Sequence, residues 1–197
     1  MEHGYNKANY WEKVSWLLSP DRSMPCVFLS HKREDKQHCK TIASYLRKVG
    51  IDYYLDENDD ALQIASDSKD PTLITSSIKK GIRESTHMLV IVSGLTYKSH
   101  WVPFEIGYGH ATILDKGLVG DEKPDKLKLS VLTLQDISES TLPDYLMVGH
   151  LIRGTKGLNH YISSISSNLE KSADVDAQIE SHSKYQHPLD SILNWKL

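Results

Sequence analysis

The chain has 197 residues, 39% hydrophobic and 25% charged, enough for one domain with a packed core and an extension or two. A net charge of −3 gives no electrostatic case for nucleic acid or an anionic membrane, and no apolar run approaches the roughly 20 residues of a transmembrane helix. Two cysteines make no disulfide framework and the amino terminus lacks a basic-then-apolar leader pattern, so a reduced, cytoplasmic setting is the expectation.

Residues 5–19 space Tyr10, Val14 and Leu17 or Leu18 as an amphipathic helix, preceding the main domain and packing on it or on a partner. Cys26-Val-Phe-Leu-Ser30 reads as a first buried strand, followed by a polar turn and a helix with Ile42, Leu46 and Val49 inward, stopped by Gly50. Ile51–Leu55 is a second strand. Residues 56–71 form a long acidic loop with six carboxylates against one lysine, and such loops are more often functional than structural. Ile74, Ile78 and Ile82 mark a helix over 72–84, and Met88–Ser93 is a third strand rich in β-branched residues. Ser99 or His100 caps the next helix, which tolerates Pro103 in its first turn and runs to about Leu114. A fourth strand (129–134), an irregular stretch, a fifth strand (150–153) and a helix over 157–169 complete the order. Strands alternating with helices in this way predict an open parallel sheet covered on both faces. The expected divisions are a helical extension over 1–24, the α/β domain over 25–170, and a polar tail over 171–197. That tail is loose except where Leu189, Ile192, Leu193 and Trp195 dock.

Trp101 and Glu105, four apart at the start of the helix after the third strand, project from one face at the carboxyl edge of the sheet, where open α/β sheets hold ligands. An aromatic plane beside a carboxylate suits a nucleotide sugar; the same pair also reads as core packing and a solvated helix residue. In the turn after the first strand, Ser30, His31, Lys32 and Arg33 offer cations and backbone donors to a pyrophosphate, or form a solvated basic turn balanced by Glu34 and Asp35. The Asp56–Asp60 run lacks EF-hand spacing, the ten histidines are scattered, and neither cysteine has a triad around it, so no metal site is expected.

Several stretches in order resemble a TIR domain over roughly residues 25–170. Val27-Phe-Leu-Ser-His31 is similar to the family's first strand, Gly50-Ile-Asp-Tyr-Tyr-Leu-Asp56 to its second, and Met88–Ser93 to its third. Tyr97-Lys-Ser-His-Trp101 with Glu105 resembles the Ser-x-Trp-x-x-x-Glu signature. The resemblance implies a flavodoxin-like TIR fold, a five-stranded parallel sheet with helices on both faces, here with an extra N-terminal helix. Some TIR domains are scaffolds for other TIR domains; others cleave NAD+ at the nicotinamide–ribose bond. For the second kind, the resemblance implies Glu105 as catalytic carboxylate and Trp101 as a wall beside it. Phe28, which also reads as a core residue, and Ser30, His31, Lys32, Arg33 and Asp56 are the remaining nucleotide-contacting candidates, with Asp56 opening a loop that closes over the nucleotide. NAD+ is then substrate, and no separate cofactor or metal is implied.

A chain with this glutamate and no effector domain of its own resembles the TIR enzymes of Thoeris-type anti-phage defence. In those systems a phage-derived trigger is sensed and an ADP-ribose-derived messenger reaches a separate effector. Assembly through TIR–TIR contacts is part of that expectation. The rival readings are a non-catalytic TIR interaction module and an enzyme like the nucleoside deoxyribosyltransferases, which attack sugar carbon with a glutamate.

Overall fold

The computed structural model describes residues 4–18, 24–55, 70–119, 122–135, 137 and 142–194. Five parallel strands, β1 (Cys26–Ser30), β2 (Asp52–Tyr54), β3 (His87–Val92), β4 (Leu129–Thr133) and β5 (His150–Arg153), form one sheet in the order β2-β1-β3-β4-β5. The register runs through Phe28 opposite Tyr54, Ser30 opposite Val90, and Val90 opposite Val131. Parallel strands buried on both faces need continuous apolar runs, which β1, β3 and β4 supply.

The helices are α1 (Tyr10–Leu18), α2 (Lys36–Lys48), α3 (Pro71–Arg83), α4 (Trp101–Gly109), α5 (Gly154–Ser166), α6 (Ser172–Ser183) and α7 (Asp190–Leu193). On one face α2, α5, α6 and α7 cover Val27, Leu29, Leu89, Ile91 and Leu132. On the other, α3 and α4 cover Cys26, Phe28, Met88, Val90 and Val131. The alternation along each strand decides which core a side chain joins. Gly50, at φ 87, turns the chain from α2 into β2 where a Cβ would be strained. Gly109 lets α4 approach β3, since a Cβ there would stand 2.5 Å from Met88 Sδ. Beyond it the chain continues as a π-helical turn over His110–Leu114.

Two segments depart from the sequence expectation. Helix begins at Tyr10 rather than at residue 5, because residues 4–7 run along the outer edge of β2, with Tyr53 donating to the Tyr5 carbonyl and Lys7 donating back to Tyr53. That strip covers an otherwise open sheet edge. α1 then turns Tyr10, Trp11 and Leu18 outward instead of burying an apolar face. At the other end, the stretch expected to be loose contains α6, whose Val175 and Ile179 enter the core beside Leu189 and Leu193 of the last turn. Two apolar residues one helical turn apart are enough to dock it on α5. Trp195 lies outside the described residues.

Candidate active site

The strand order reverses between β1 and β3, and at such a switch point the connections leave for opposite faces and open a crevice at the carboxyl ends. Both connections meet there. β1 ends at Ser30 and passes through the turn at 31–35 into α2; β3 ends at Val92 and passes through residues 93–100 into α4. Ser99 accepts the backbone N–H of Val102 at 3.2 Å and so starts α4.

Glu105 lies on the inner side of α4 with Val102, Ile106 and Gly109 and is 5% exposed. Ser30 shares the strand face of Cys26 and Phe28, the face that α4 covers. Its hydroxyl donates to Glu105 Oε2 at 2.5 Å. The two residues, singled out for different roles, are therefore in direct contact.

Trp101 stands at the start of α4 and is 39% exposed. It meets Phe104 edge-on at 6.0 Å, and Phe104 stacks on Tyr108 at 6.3 Å. This aromatic row is held to α3 by Lys79 over the Phe104 and Tyr108 rings and by Arg83, which donates to the Tyr108 hydroxyl at 3.0 Å. Trp101 is the open end of the row.

In the turn after β1 the cations are not alike. Lys32 Nζ is 2.7 Å from Glu34 Oε1, and the ammonium holds that carboxyl below its usual range. Arg33 is exposed. The His31 ring lies with Nδ1 3.2 Å from the Leu29 carbonyl oxygen, folded back on the strand. Phe28 is 1% exposed and stacks on Tyr54 at 5.9 Å, packed as a core residue on the face that α4 covers. Asp56 lies outside the described residues, as does the acidic run that follows it through residue 69.

Asp35, read as part of a solvated turn, is buried, and its Oδ2 accepts the Ser93 hydroxyl at 2.6 Å. The sequence signal was its place directly before the helix, where an aspartate normally caps; here its side chain makes no cap. Among the described residues, no group of three or more His, Cys, Asp or Glu is placed to hold a metal ion.

No curated protein matches the chain. Residues 27–120 match the family model described as the TIR domain, a span that holds β1 to β3, α4 and both members of the Ser30–Glu105 pair. With this sheet order and these covering helices, the chain has the flavodoxin-like fold of a TIR domain, and it is similar to that family over residues 27–120.

Proposed function

We propose that this TIR domain cleaves NAD+ at the nicotinamide–ribose bond, with Glu105 as the catalytic carboxylate. The observation that supports the reading best is a buried carboxylate at the switch-point edge of the sheet, hydrogen-bonded by a serine hydroxyl. Nicotinamide departs from its cationic form as a neutral molecule, so its leaving needs no general acid. The ribose left behind develops oxocarbenium character, and a fixed carboxylate stabilises that charge more than it stabilises the substrate. Trp101 walls the sugar, and His31, Lys32 and Arg33 face the pyrophosphate, with Arg33 the exposed cation of the turn. Water, an adenine nitrogen or another nucleophile then captures the ribosyl carbon, giving ADP-ribose, a cyclic isomer or a conjugate. We assign such a product the role of a messenger in bacterial anti-phage immunity, made on a phage-derived trigger and read by a separate effector.

The test is nicotinamide release from NAD+ by the purified chain at high concentration, wild type beside Glu105→Gln. Removing the charge while keeping the shape lowers turnover by at least about 100-fold. Equal release by the two proteins sinks the reading.

A second reading has its own observation. α1 exposes Tyr10, Trp11 and Leu18, a surface fit for a protein partner, and TIR domains engage one another. An interaction module would keep its cellular function in Glu105→Gln and lose it when Trp11 is replaced by a charged residue.

A further inference from the structure

Glu105 sits among the apolar residues of α4 that pack on the sheet, with Val102 and Ile106 beside it in the chain. A carboxylate in such surroundings reverts to its neutral acid unless donors hold the charge. Ser30 is such a donor. The separation of 2.5 Å between Ser30 Oγ and Glu105 Oε2 falls in the range of charge-assisted O–H···O⁻ bonds. Ser30 is 1% exposed, and its backbone is fixed in the sheet opposite Val90, so the hydroxyl is placed by a rigid strand and not by a loop. A serine hydroxyl has one proton, and here it is committed to Glu105.

We propose that Ser30 is a positioning residue for Glu105: its hydroxyl anchors one carboxylate oxygen to the end of β1, fixing the orientation of the group and keeping it negatively charged. The role differs from contact with the nucleotide. Its catalytic consequence rests on the NAD+-cleavage reading, but the anchoring itself does not.

The experiment has two arms on the full-length chain, comparing wild type, Ser30→Ala, Ser30→Thr and Glu105→Gln. The first follows the Glu105 side-chain carboxyl by 13C NMR across pH without substrate, the resonance being identified by its loss in Glu105→Gln. Removing the donor moves the titration midpoint up by about one pH unit or more, and Ser30→Thr, which keeps the hydroxyl, returns it toward wild type. The second arm measures nicotinamide release against pH. Ser30→Ala shifts the acid limb upward by a similar amount and lowers kcat by about 10-fold or more, with KM changed by less than about threefold. A Glu105 midpoint unmoved in Ser30→Ala overturns the proposal, even if that variant is less stable, because packing alone would then account for the serine. A wild type that releases no nicotinamide refutes the NAD+ reading while the first arm still decides the role of Ser30. Should Ser30→Ala fail to fold, Ser30→Cys, nearly the same shape with a weak donor, takes its place in both arms, with the same midpoint shift expected and the same null result fatal.

Discussion

Two serine–carboxylate bonds cross the carboxyl edge of the sheet in opposite senses. Ser30 of β1 reaches Glu105 of α4, and Ser93, just past β3, reaches Asp35 at the entry to α2. The second bond is structural. Ser93 accepts the Leu95 N–H at 3.1 Å, and its own N–H donates to Thr96 Oγ1 at 2.9 Å, so the aspartate ties the turn at 31–35 to a well-ordered corner. Asp35→Ala removes the acceptor from a hydroxyl beside the buried edge and costs about 1–3 kcal/mol, measurable by urea unfolding. Asp35→Asn keeps an acceptor and loses less. The turn carries His31, Lys32 and Arg33, so the alanine variant should also raise KM for the nucleotide more than it lowers kcat. An unchanged KM would detach the turn from substrate binding. At this scale the sequence was half legible. The Trp101–Glu105 spacing marked the carboxylate, and Ser30 was marked only as part of the turn after the first strand. Which helix covers the Ser30 face of β1 is a property of the topology, so neither Ser30's partner nor Asp35's was written locally.

Among the elements, the strands and main helices were legible because their signals are redundant. Met88–Val92 is apolar throughout, and Ile74, Ile78 and Ile82 repeat at the helical period. The edge strip at residues 4–7 has no such pattern. It is held by backbone bonds to Tyr53, by Asp52 Oδ1 accepting the Tyr5 N–H at 3.0 Å, and by Asn6 Oδ1 accepting the Leu55 N–H at 3.2 Å. Lys7 completes it: Nζ lies 3.4 Å from Asp52 Oδ2 and 3.9 Å from the centroid of the Trp16 ring on α1. Both charged side chains are nearly inaccessible, at 7% and 3% exposure, so removing one strands the other in a low dielectric. Lys7→Met should therefore cost about 3 kcal/mol or more, while Lys7→Met combined with Asp52→Asn costs less than Lys7→Met alone. A double variant no more stable than Lys7→Met alone would show that the ion pair is not what holds the strip. α1 hangs on the same strip, through Trp16 over Lys7 and Glu12 accepting the Asn6 N–H at 2.8 Å, so the loss should be accompanied by freer motion of the helix.

For the whole molecule, two histidines, His87 and His187, make stability depend on pH in the same direction. His87 opens β3, with Nδ1 2.8 Å from Thr86 Oγ1; burial pushes its pKa down to about 4, Asp125 opposing the shift and Lys128 adding to it. His187 holds the last turn of the chain. Its Nδ1 accepts the Leu189 N–H at 3.1 Å while Nε2 lies 3.2 Å from Asn159 Oδ1, which also accepts the Tyr45 hydroxyl at 2.6 Å. That pattern needs a neutral ring with its proton on Nε2. Burial lowers this pKa too, against the opposing charge of Asp190 and with help from His182. Both groups titrate lower folded than unfolded, so their contribution is complete above the unfolded value near 6.5 and is lost as pH falls through the folded values. Glu34, whose carboxyl Lys32 holds low, acts in the same sense but only below about pH 4.5. The interval from about pH 7.5 to 4.5 thus isolates the histidines, and unfolding free energy should fall across it by about 2–3 kcal/mol through His87, with His187 acting in the same direction. Urea melts at the two ends of that interval, for wild type and His87→Gln, decide the matter. The glutamine variant should show a much shallower dependence, and His187→Gln should leave the His87 component intact. A wild type equally stable at both ends would mean that neither ring is held neutral by the fold.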